Sequence, residues 1–311
     1  MTQPLHIQTP LLSSAAINAR LGTEMLLKME CYQPVGSFKM RGIGAACQQA
    51  VQKGATQLVC SSGGNAGFAA AYAARQLKIP ISVVVPETTS ESARARIANE
   101  GANLLIHGAV WDEADAHART LLSQPNTAYI HPFDDPAVWA GHATMVDELV
   151  TQTSKPDAVV VAVGGGGLLC GLVEGMQRHG WGDVPVLAVE TDGAASFAAS
   201  MERGELVRLE KITSIATTLG SLQVTAKALD WAARQPIISV RVSDADAVHA
   251  CLRFADDLRV LVEPACGAAL SLMYEHGELL DEFARVVMIV CGGAGVTLKQ
   301  LGDWRGLFDG V

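Results

Sequence analysis

The stretch Gly36-Ser37-Phe38-Lys39-Met40-Arg41-Gly42 places a lysine directly after an aromatic residue, and no Asp or Glu occurs between positions 36 and 57. A lysine in such surroundings can be shifted toward its neutral, nucleophilic amine, the form that Schiff-base chemistry requires. Taken alone, the stretch is equally compatible with a solvated lysine at the start of a helix. Three further segments bear on the choice between these two interpretations.

The composition is that of a folded globular protein. Of the 311 residues, 49% are hydrophobic and 18% charged, which suits one large domain or two moderate ones with buried cores. The formal net charge is −9 and no block of Lys and Arg stands out, so we predict no nucleic-acid partner. Neither a secretory signal nor an apolar run long enough to cross a membrane is present, so we expect no membrane association.

The seven cysteines are scattered, odd in number and without a CxxC pair. This pattern argues against a disulfide framework or a zinc site and favours a reducing compartment, so we expect a cytoplasmic protein. The cysteines are Cys31, Cys47, Cys60, Cys170, Cys251, Cys266 and Cys291.

Short apolar runs alternate with alanine-rich stretches, which predicts parallel strands with crossover helices and hence an α/β fold. The strands are apolar throughout, as expected for strands covered on both faces. The predicted strands are 25–29, 57–60, 81–85, 103–106, 158–163, 186–189, 237–242 and 286–290. The predicted helices are 41–53, 65–78, 89–100, 112–122, 137–152, 168–179, 222–234, 244–257, 264–274 and a short one from 297.

Prolines near position 34 and at 132–136 mark the best points for the chain to cross between domains. We therefore predict a small inserted α/β domain at 35–135. Residues 1–34 and 136–311 would together form a large domain.

The second segment is Ser61-Ser62-Gly63-Gly64-Asn65-Ala66-Gly67, between a predicted strand and a predicted helix. Small residues at such a turn expose backbone N–H groups at the positive end of the helix, where they can receive a carboxylate or phosphate. A plain tight turn with an Asn cap is the alternative, but it poorly explains seven consecutive small residues.

The third segment is Gly164-Gly165-Gly166-Gly167-Leu168, and it follows the most apolar strand. Four glycines allow the backbone to wrap closely around an anion at a helix N-terminus. The segment has neither the Lys-Ser/Thr of a P-loop nor the spacing of a dinucleotide-binding motif.

The fourth segment is Cys291-Gly292-Gly293-Ala294-Gly295, at the carboxyl end of a predicted strand, where α/β folds bind ligands. Alone, Cys291 would more often be a buried core thiol. Together the four segments provide an amine, a carboxylate cradle, a phosphate cradle and a polar atom at a strand end. Pyridoxal phosphate requires these parts.

These motifs resemble those of the fold-type II pyridoxal-phosphate enzymes, and most of all the L-serine dehydratase/L-threonine deaminase group of the animal-liver type. The similarity also includes residues 131–136, 182–186, 211–214 and 262–269. It implies a tryptophan synthase β-like architecture, with two open, mostly parallel sheets flanked by helices and a catalytic large domain. It also implies a homodimer.

The resemblance assigns roles to individual residues. Lys39 would form the Schiff base and act as general base, Phe38 would lie against the cofactor ring, and Cys291 would face the ring nitrogen. The phosphate would be held by Gly164, Gly165, Gly166, Gly167 and Leu168. The substrate carboxylate would be received by Ser62, Gly63, Gly64, Asn65 and Ala66, with Asn65 also bonding the 3-hydroxyl of the ring. A potassium-like monovalent cation would be bound by Glu190, Ala194, Ser196, Leu219 and Ser221.

The implied reaction is β-elimination from L-serine and/or L-threonine, giving pyruvate or 2-oxobutanoate and ammonia, with a role in amino-acid catabolism. Another reaction on the same scaffold is the first alternative: β-replacement, or elimination from a different hydroxy or β-substituted amino acid. A pyridoxal-phosphate-binding protein with little turnover is the second.

Two positions depart from the pattern of this group. Gly63 replaces the alanine of the liver dehydratases and the serine that donates a proton in the racemases, so racemisation is disfavoured. We expect extra space beside the cofactor, with lower catalytic efficiency and looser substrate choice than in an alanine version. Ala294 and Gly295 replace a Ser-Asn pair that is usual in this group. The hydrogen bonds of that pair are therefore either made by other residues or absent, which would leave the cofactor pocket less rigid.

Overall fold

The strands of the protein form two separate sheets. A computed structural model describes residues 3–310, so positions 1, 2 and 311 of the predicted large domain lie outside the described residues. The strands are β1 (Leu11–Ser13), β2 (Glu24–Lys28), β3 (Gln57–Cys60), β4 (Ile81–Val85), β5 (Asn103–Ile106), β6 (Thr127–Tyr129), β7 (Ala158–Ala162), β8 (Val186–Thr191), β9 (Ile237–Val242) and β10 (Arg285–Ile289).

The larger sheet has the order β1-β2-β10-β7-β8-β9, and the smaller one has the order β5-β4-β3-β6. All pairings are parallel except that of β1 with β2. Parallel strands need crossover connections, which the intervening helices supply. The predicted α/β class with two mostly parallel sheets is confirmed.

The helices are α1 (Ala15–Leu21), α2 (Lys39–Gln52), α3 (Asn65–Leu77), α4 (Glu91–Asn99), α5 (Trp111–Thr120), α6 (Pro136–Gln152), α7 (Gly167–Arg178), α8 (Ser196–Arg203), α9 (Ala226–Ala232), α10 (Asp244–Leu258), α11 (Pro264–Tyr274) and α12 (Leu298–Asp309). None of these helices, within residues 3–310, has both the length and the apolar character needed to cross a membrane.

Every predicted strand and helix is present, but four short elements were not predicted. These are β1, β6, α1 and α8, which have three to eight residues each. Segments this short are below the window of about 11–18 residues over which a helical period is normally recognised, and the two strands have three residues each. The expectation that all strands are covered on both faces is wrong for the edge strands β5 and β9, which expose Ile106 and Ile238.

Each sheet has its own hydrophobic core. The larger core is built from β2, β7, β8 and β10 with α7, α10 and α11. A second core joins β3 and β4 to α2 and α3, and α5 covers the opposite face of the same two strands. Val138 of α6 belongs to the second core, so packing crosses position 135. The predicted domain boundaries remain a prediction.

A buried ion network holds α2 against the larger sheet. Arg41 Nε lies 2.7 Å from a carboxylate oxygen of Glu30, and its Nη1 lies 2.7 Å from one of Glu148. Lys28 pairs with the other oxygen of Glu148. Arg41, Glu30 and Lys28 are fully buried, so their charges are tolerated only because each is paired. Because Arg41 lies in the first turn of α2, the network also fixes the start of the helix at Lys39.

Candidate active site

Lys39 is the first residue of α2, and its side chain is half-buried. Its Nζ donates a hydrogen bond of 2.7 Å to the carbonyl oxygen of Pro132. Burial lowers the pKa of the amine from 10.5 to about 8, against the opposing influence of Cys60, Cys291 and Glu263. A half-buried amine with a lowered pKa differs from the solvated lysine that the isolated stretch also allowed.

The start of α2 is tied to the loop after β10. Phe38 N donates to Cys291 O at 3.1 Å, and Gly293 N donates to Gly36 O at 2.8 Å. Gly292 has a φ of +84°, and a Cβ there would lie 2.3 Å from Gly36 O. Glycine at this position therefore permits the close approach of the first and fourth sequence segments.

The glycine loop, residues 164–167, connects β7 to α7 and packs closely against Phe133, Leu219 and Val224. A Cβ on any of its four glycines would lie within 3.0 Å of another residue, for example 2.6 Å from the ring of Phe133 at Gly165. Gly166 also has a φ of +87° and caps α7. The backbone N–H groups of residues 164–168 thus lie at a helix N-terminus, a suitable site for a phosphate group.

Residues 131–136 complete the connection between the lysine and the glycine loop. Pro132 accepts the hydrogen bond from Lys39, and the next residue, Phe133, contacts Gly165 and Gly167. Trp139 Nε1 donates to Phe133 O at 2.7 Å and holds this turn in place. The sequence resemblance includes residues 131–136, but it does not predict that they lie between Lys39 and the glycine loop.

The loop at residues 61–67 connects β3 to α3. A Cβ on Gly67 would lie 1.7 Å from Ser62 O, so the turn requires glycine there. Ser61 is buried, and its Oγ donates to Asp115 at 2.7 Å and lies 2.7 Å from Tyr129 Oη. Although burial opposes it, the hydrogen bonds from Tyr129, Arg119 and Ser61 lower the pKa of Asp115. This anchored support of the loop was not predicted.

Asn65, the first residue of α3, links the second segment to the fourth. Its Oδ1 accepts a hydrogen bond of 3.1 Å from Ala294 N, and its Nδ2 donates to Glu263 at 2.7 Å. Backbone N–H groups at 294 and 295 thus make hydrogen bonds here despite the absence of the Ser-Asn pair. Glu263 was missed as a site residue, although an acidic residue directly before Pro264 in an apolar run is an unusual feature.

Cys291 is buried at the end of β10, where the sequence placed it. A hydrogen bond with Cys266 and burial raise the pKa of its thiol well above the ordinary value, so the group is a neutral thiol. A neutral thiol can offer only a weak polar contact to a ring nitrogen.

Gly63 has less free space around it than was expected. A Cβ at this position would lie 2.6 Å from Thr89 Oγ1. The space that a larger residue would occupy is therefore taken by Thr89, and the expectation of extra room at this position is wrong.

The residues named for a monovalent cation lie beyond this cluster. Both oxygens of Glu190, at the end of β8, accept backbone hydrogen bonds from Phe197 and Ala198 in α8. Burial raises the pKa of Glu190 to about 7. Ser196 Oγ is buried without a hydrogen-bond partner. The other members are Ala194 beside α8 and the pair Leu219 and Ser221, with Leu219 against Gly164.

The residues brought together fit pyridoxal phosphate. A half-buried amine of lowered pKa can take its aldehyde, glycines that tolerate no Cβ form a cradle for its phosphate, and Asn65 and Cys291 supply polar atoms. The contacts among Lys39, Pro132, Phe133, Asn65 and the loop after β10 bring the four segments near one another. The roles of the individual residues stay a prediction.

Comparisons with known proteins agree with this chemistry. The family model described as pyridoxal-phosphate dependent enzyme matches residues 2–292. The chain is 50% identical over 309 residues to the L-serine dehydratase/L-threonine deaminase of Homo sapiens, covering 96% of this chain and 94% of that protein. It is 47% identical over 312 residues to the serine dehydratase-like protein of Mus musculus, covering 97% and 95%.

A solved structure is similar along the whole fold. The crystal structure of a fungal L-serine ammonia-lyase from Rhizomucor miehei matches with a TM-score of 0.92 and 43% identity, covering 97% of this chain and 99% of that one. Since the family model and these relatives extend over nearly the whole chain, the protein belongs to the family of pyridoxal-phosphate-dependent enzymes.

Proposed function

We propose that the protein catalyses the pyridoxal-phosphate-dependent β-elimination of L-serine and/or L-threonine, releasing pyruvate or 2-oxobutanoate and ammonia. The observation that carries this proposal is Lys39, an amine with a pKa of about 8 placed among the glycine loop, the 61–67 loop and Cys291. Relatives and a structural neighbour whose names are serine dehydratase, threonine deaminase and serine ammonia-lyase support the choice of substrate.

Different residues of the chain would serve the cofactor's aldehyde, its phosphate and the substrate proton. Bound pyridoxal phosphate supplies the electron sink that makes the Cα proton of an amino acid removable. Lys39 would hold the cofactor through its amine and, once released, would take the Cα proton at Nζ; an amine with a pKa of about 8 suits a general base. The backbone N–H groups of Gly164, Gly165, Gly166, Gly167 and Leu168 would hold the phosphate.

The substrate carboxylate is received at the N-terminus of α3. The donors are in the loop of Ser62, Gly63, Gly64, Asn65 and Ala66, where backbone N–H groups and the helix dipole favour a negative charge. Gly63 carries no side-chain proton donor, so Lys39 is the group that acts at Cα, and this favours elimination over racemisation. The neutral thiol of Cys291 would be a weak partner for the ring nitrogen, so the bound cofactor would be a modest electron sink, which favours elimination as well.

We propose further that a potassium-like cation binds near Glu190. Glu190 is fully buried and its hydrogen-bond donors are neutral backbone groups, so a bound cation would offset the cost of burying its charge. Ser196 Oγ is a free oxygen ligand beside it. Within residues 3–310 no cluster of three or more His, Cys, Asp or Glu side chains is arranged to hold a metal ion. The remaining ligands would therefore be backbone carbonyls, as expected from Ala194, Leu219 and Ser221.

The assembly, location and domain division are also proposals. The resemblance to the dehydratase group supports a homodimer, and the seven free cysteines suit a reducing cytoplasm. The separate cores of the two sheets support a small domain at 35–135 and a catalytic large domain at 1–34 and 136–311.

The test is an assay for 2-oxo acids with L-serine, L-threonine, D-serine and O-acetylserine. We expect keto acid from L-serine or L-threonine, and the proposal fails if neither gives any. Turnover of O-acetylserine alone would favour β-replacement or another elimination, and visible absorbance of bound cofactor without turnover would indicate a binding protein.

A matched pair of variants assigns the chemistry to Lys39. We expect Lys39→Ala to remove both the visible absorbance of the bound cofactor and the keto acid. Lys53→Ala, which changes an exposed lysine at the other end of α2, should leave both intact.

A further inference from the structure

Glu263 is a buried carboxyl group that contacts the site residue Asn65, the loop after β10 and the neighbouring Thr218. It precedes the first residue of α11 and is 4% exposed. Its Oε1 accepts hydrogen bonds from Asn65 Nδ2 at 2.7 Å and from Thr218 Oγ1 at 2.5 Å, and its Oε2 accepts one from Gly295 N at 3.1 Å. All three donors are neutral groups, so no cationic hydrogen-bond partner offsets the burial of this carboxyl.

The surrounding backbone is shaped to admit this side chain. Gly293 has a φ of +122°, and a Cβ there would lie 2.0 Å from Glu263 Cδ. A Cβ on Gly295 would lie 2.8 Å from Oε2. Burial raises the pKa of Glu263 above its ordinary value, and the hydrogen bonds from Thr218, Gly295 and Asn65 offset this only in part. A polar group kept in such a costly position is typical of a functional site rather than of a core.

Asn65 has its side-chain amide fixed from two sides. The carboxylate of Glu263 accepts a hydrogen bond from Asn65 Nδ2, and Ala294 N donates one to Asn65 Oδ1. A carboxylate can only accept and a backbone N–H can only donate, so the two contacts together favour one orientation of the Asn65 amide. One hydrogen of Nδ2 is used by Glu263, and the second stays available to another acceptor. Without Glu263, only the hydrogen bond from Ala294 N would oppose a rotation that presents the amide oxygen in the place of its nitrogen.

We infer that Glu263 is a positioning residue that holds the Asn65 amide nitrogen toward the 3-oxygen of bound pyridoxal phosphate. The inference rests on the proposed function only through the binding of that cofactor. An amide nitrogen donates and so stabilises the deprotonated oxygen, whereas an amide oxygen would favour the protonated hydroxyl. Glu263 thereby acts through Asn65 on the protonation state of the cofactor.

The test is the absorption spectrum of the cofactor-loaded protein as a function of pH. Glu263→Gln keeps the volume of the side chain but introduces a donor that opposes Asn65 Nδ2 or Gly295 N. We expect the visible band of the cofactor to lose intensity to the near-ultraviolet band, and the affinity for pyridoxal phosphate to fall about tenfold, as for the loss of a charge-assisted hydrogen bond. An unchanged spectrum and affinity would overturn the inference.

Two comparisons separate this role from general support of the fold. Thr218→Val removes a hydrogen bond from the same carboxylate oxygen but leaves the contact with Asn65, so we expect it to keep the wild-type spectrum. In an Asn65→Ala background, Glu263→Gln should cause no further spectral change. The same spectral shift in Thr218→Val, or an undiminished shift in the Asn65→Ala background, would contradict the inference.

If Glu263→Gln fails to fold, Glu263→Asp provides a second variant. It keeps the charge and withdraws the carboxylate from Asn65 by one methylene, so we expect a spectral shift in the same direction. A wild-type spectrum would overturn the inference. Because these readouts require cofactor binding and not turnover, failure of the keto-acid assay would leave them valid.

Discussion

Thr89 closes the space next to Gly63 with both branches of its side chain. A Cβ on Gly63 would lie 2.6 Å from Thr89 Oγ1 and 2.7 Å from its Cγ2. The Cβ of Thr89 has three staggered positions for its substituents, and two of them face Gly63. Because Oγ1 and Cγ2 together fill two of the three positions, every staggered rotamer of Thr89 leaves at least one of these atoms next to Gly63. The loop between β4 and α4 must therefore move to admit any larger residue at position 63.

This relationship predicts that Gly63→Ala and Thr89→Ala are strongly coupled. Gly63→Ala alone should raise KM for L-serine and destabilise the fold by about 1–3 kcal/mol, the usual cost of overpacking. In the double variant only the Cβ of residue 89 remains, at 3.3 Å, so most of the loss should be recovered. Any gain in efficiency from alanine at position 63 should appear only in this double variant.

Steady-state kinetics with L-serine and L-threonine, together with urea unfolding of all four proteins, measure the coupling. Additive effects of the two substitutions would show that Thr89 does not restrict position 63.

The lowered pKa of Lys39 predicts a pH-dependent cost in the cofactor-free protein. The unfolded chain binds the proton of the Lys39 amine more tightly than the folded protein does. The charged amine therefore destabilises the fold fully below pH 8, and this destabilisation decreases as the pH rises toward 10.5. At pH 7, Lys39→Met should raise the free energy of unfolding by on the order of 1 kcal/mol, because the amine keeps partial access to water.

Urea unfolding from pH 7 to 10.5 checks this difference, which should shrink with rising pH. Lys53→Met, at an exposed position, serves as the control. A constant difference between wild type and Lys39→Met across this range would argue against a lowered pKa.

The buried ion network predicts a large loss of stability for Arg41→Met. The change leaves Glu30 buried without its cation, which typically costs about 3–5 kcal/mol. Arg75→Met removes an exposed pair with Glu100 and should cost at most about 1 kcal/mol. Chemical unfolding distinguishes the two, and a loss below about 1 kcal/mol for Arg41→Met would show that the network does not anchor α2.

The glycine loop predicts that Gly165→Ala weakens cofactor binding about tenfold or more. The new Cβ would meet three ring atoms of Phe133 at 2.6–2.7 Å, so the loop or the ring must shift. Gly302→Ala, in α12, has no heavy atom within 4 Å of its Cβ and should leave binding unchanged. Titration with pyridoxal phosphate measures both affinities, and equal values would refute the close packing of the loop.

The proposed cation site predicts a specific effect of potassium. Replacing choline chloride by potassium chloride at equal ionic strength should raise the melting temperature by several degrees, since ligands that bind only the folded state stabilise it. The effect should be lost in Glu190→Gln and kept in Glu174→Gln, which changes a half-exposed carboxylate on α7. Equal melting temperatures in the two salts would exclude a stabilising cation.

The parts of the site that the sequence predicted are those with a local signature. A run of glycines after a strand, or a lysine at the start of a helix, depends on the conformation of the adjacent backbone. Such local features can be recognised in the sequence without knowledge of the fold. Resemblance then supplied the roles of Lys39, Asn65 and Cys291. The short strands β1 and β6 were missed because three residues are too few to show a period, and pairing with β2 and β3 defines them instead.

By itself, the sequence determined the α/β class, the four segments and the kind of cofactor they can hold. Only the tertiary structure decided which residues support those segments: Pro132 accepts from Lys39 across 93 positions, Glu263 holds Asn65 across 198, and Thr89 lies against Gly63. The physical reason is that a contact between distant positions depends on how helices and sheets pack, and no local pattern encodes which polar atoms that packing will bring within hydrogen-bond distance.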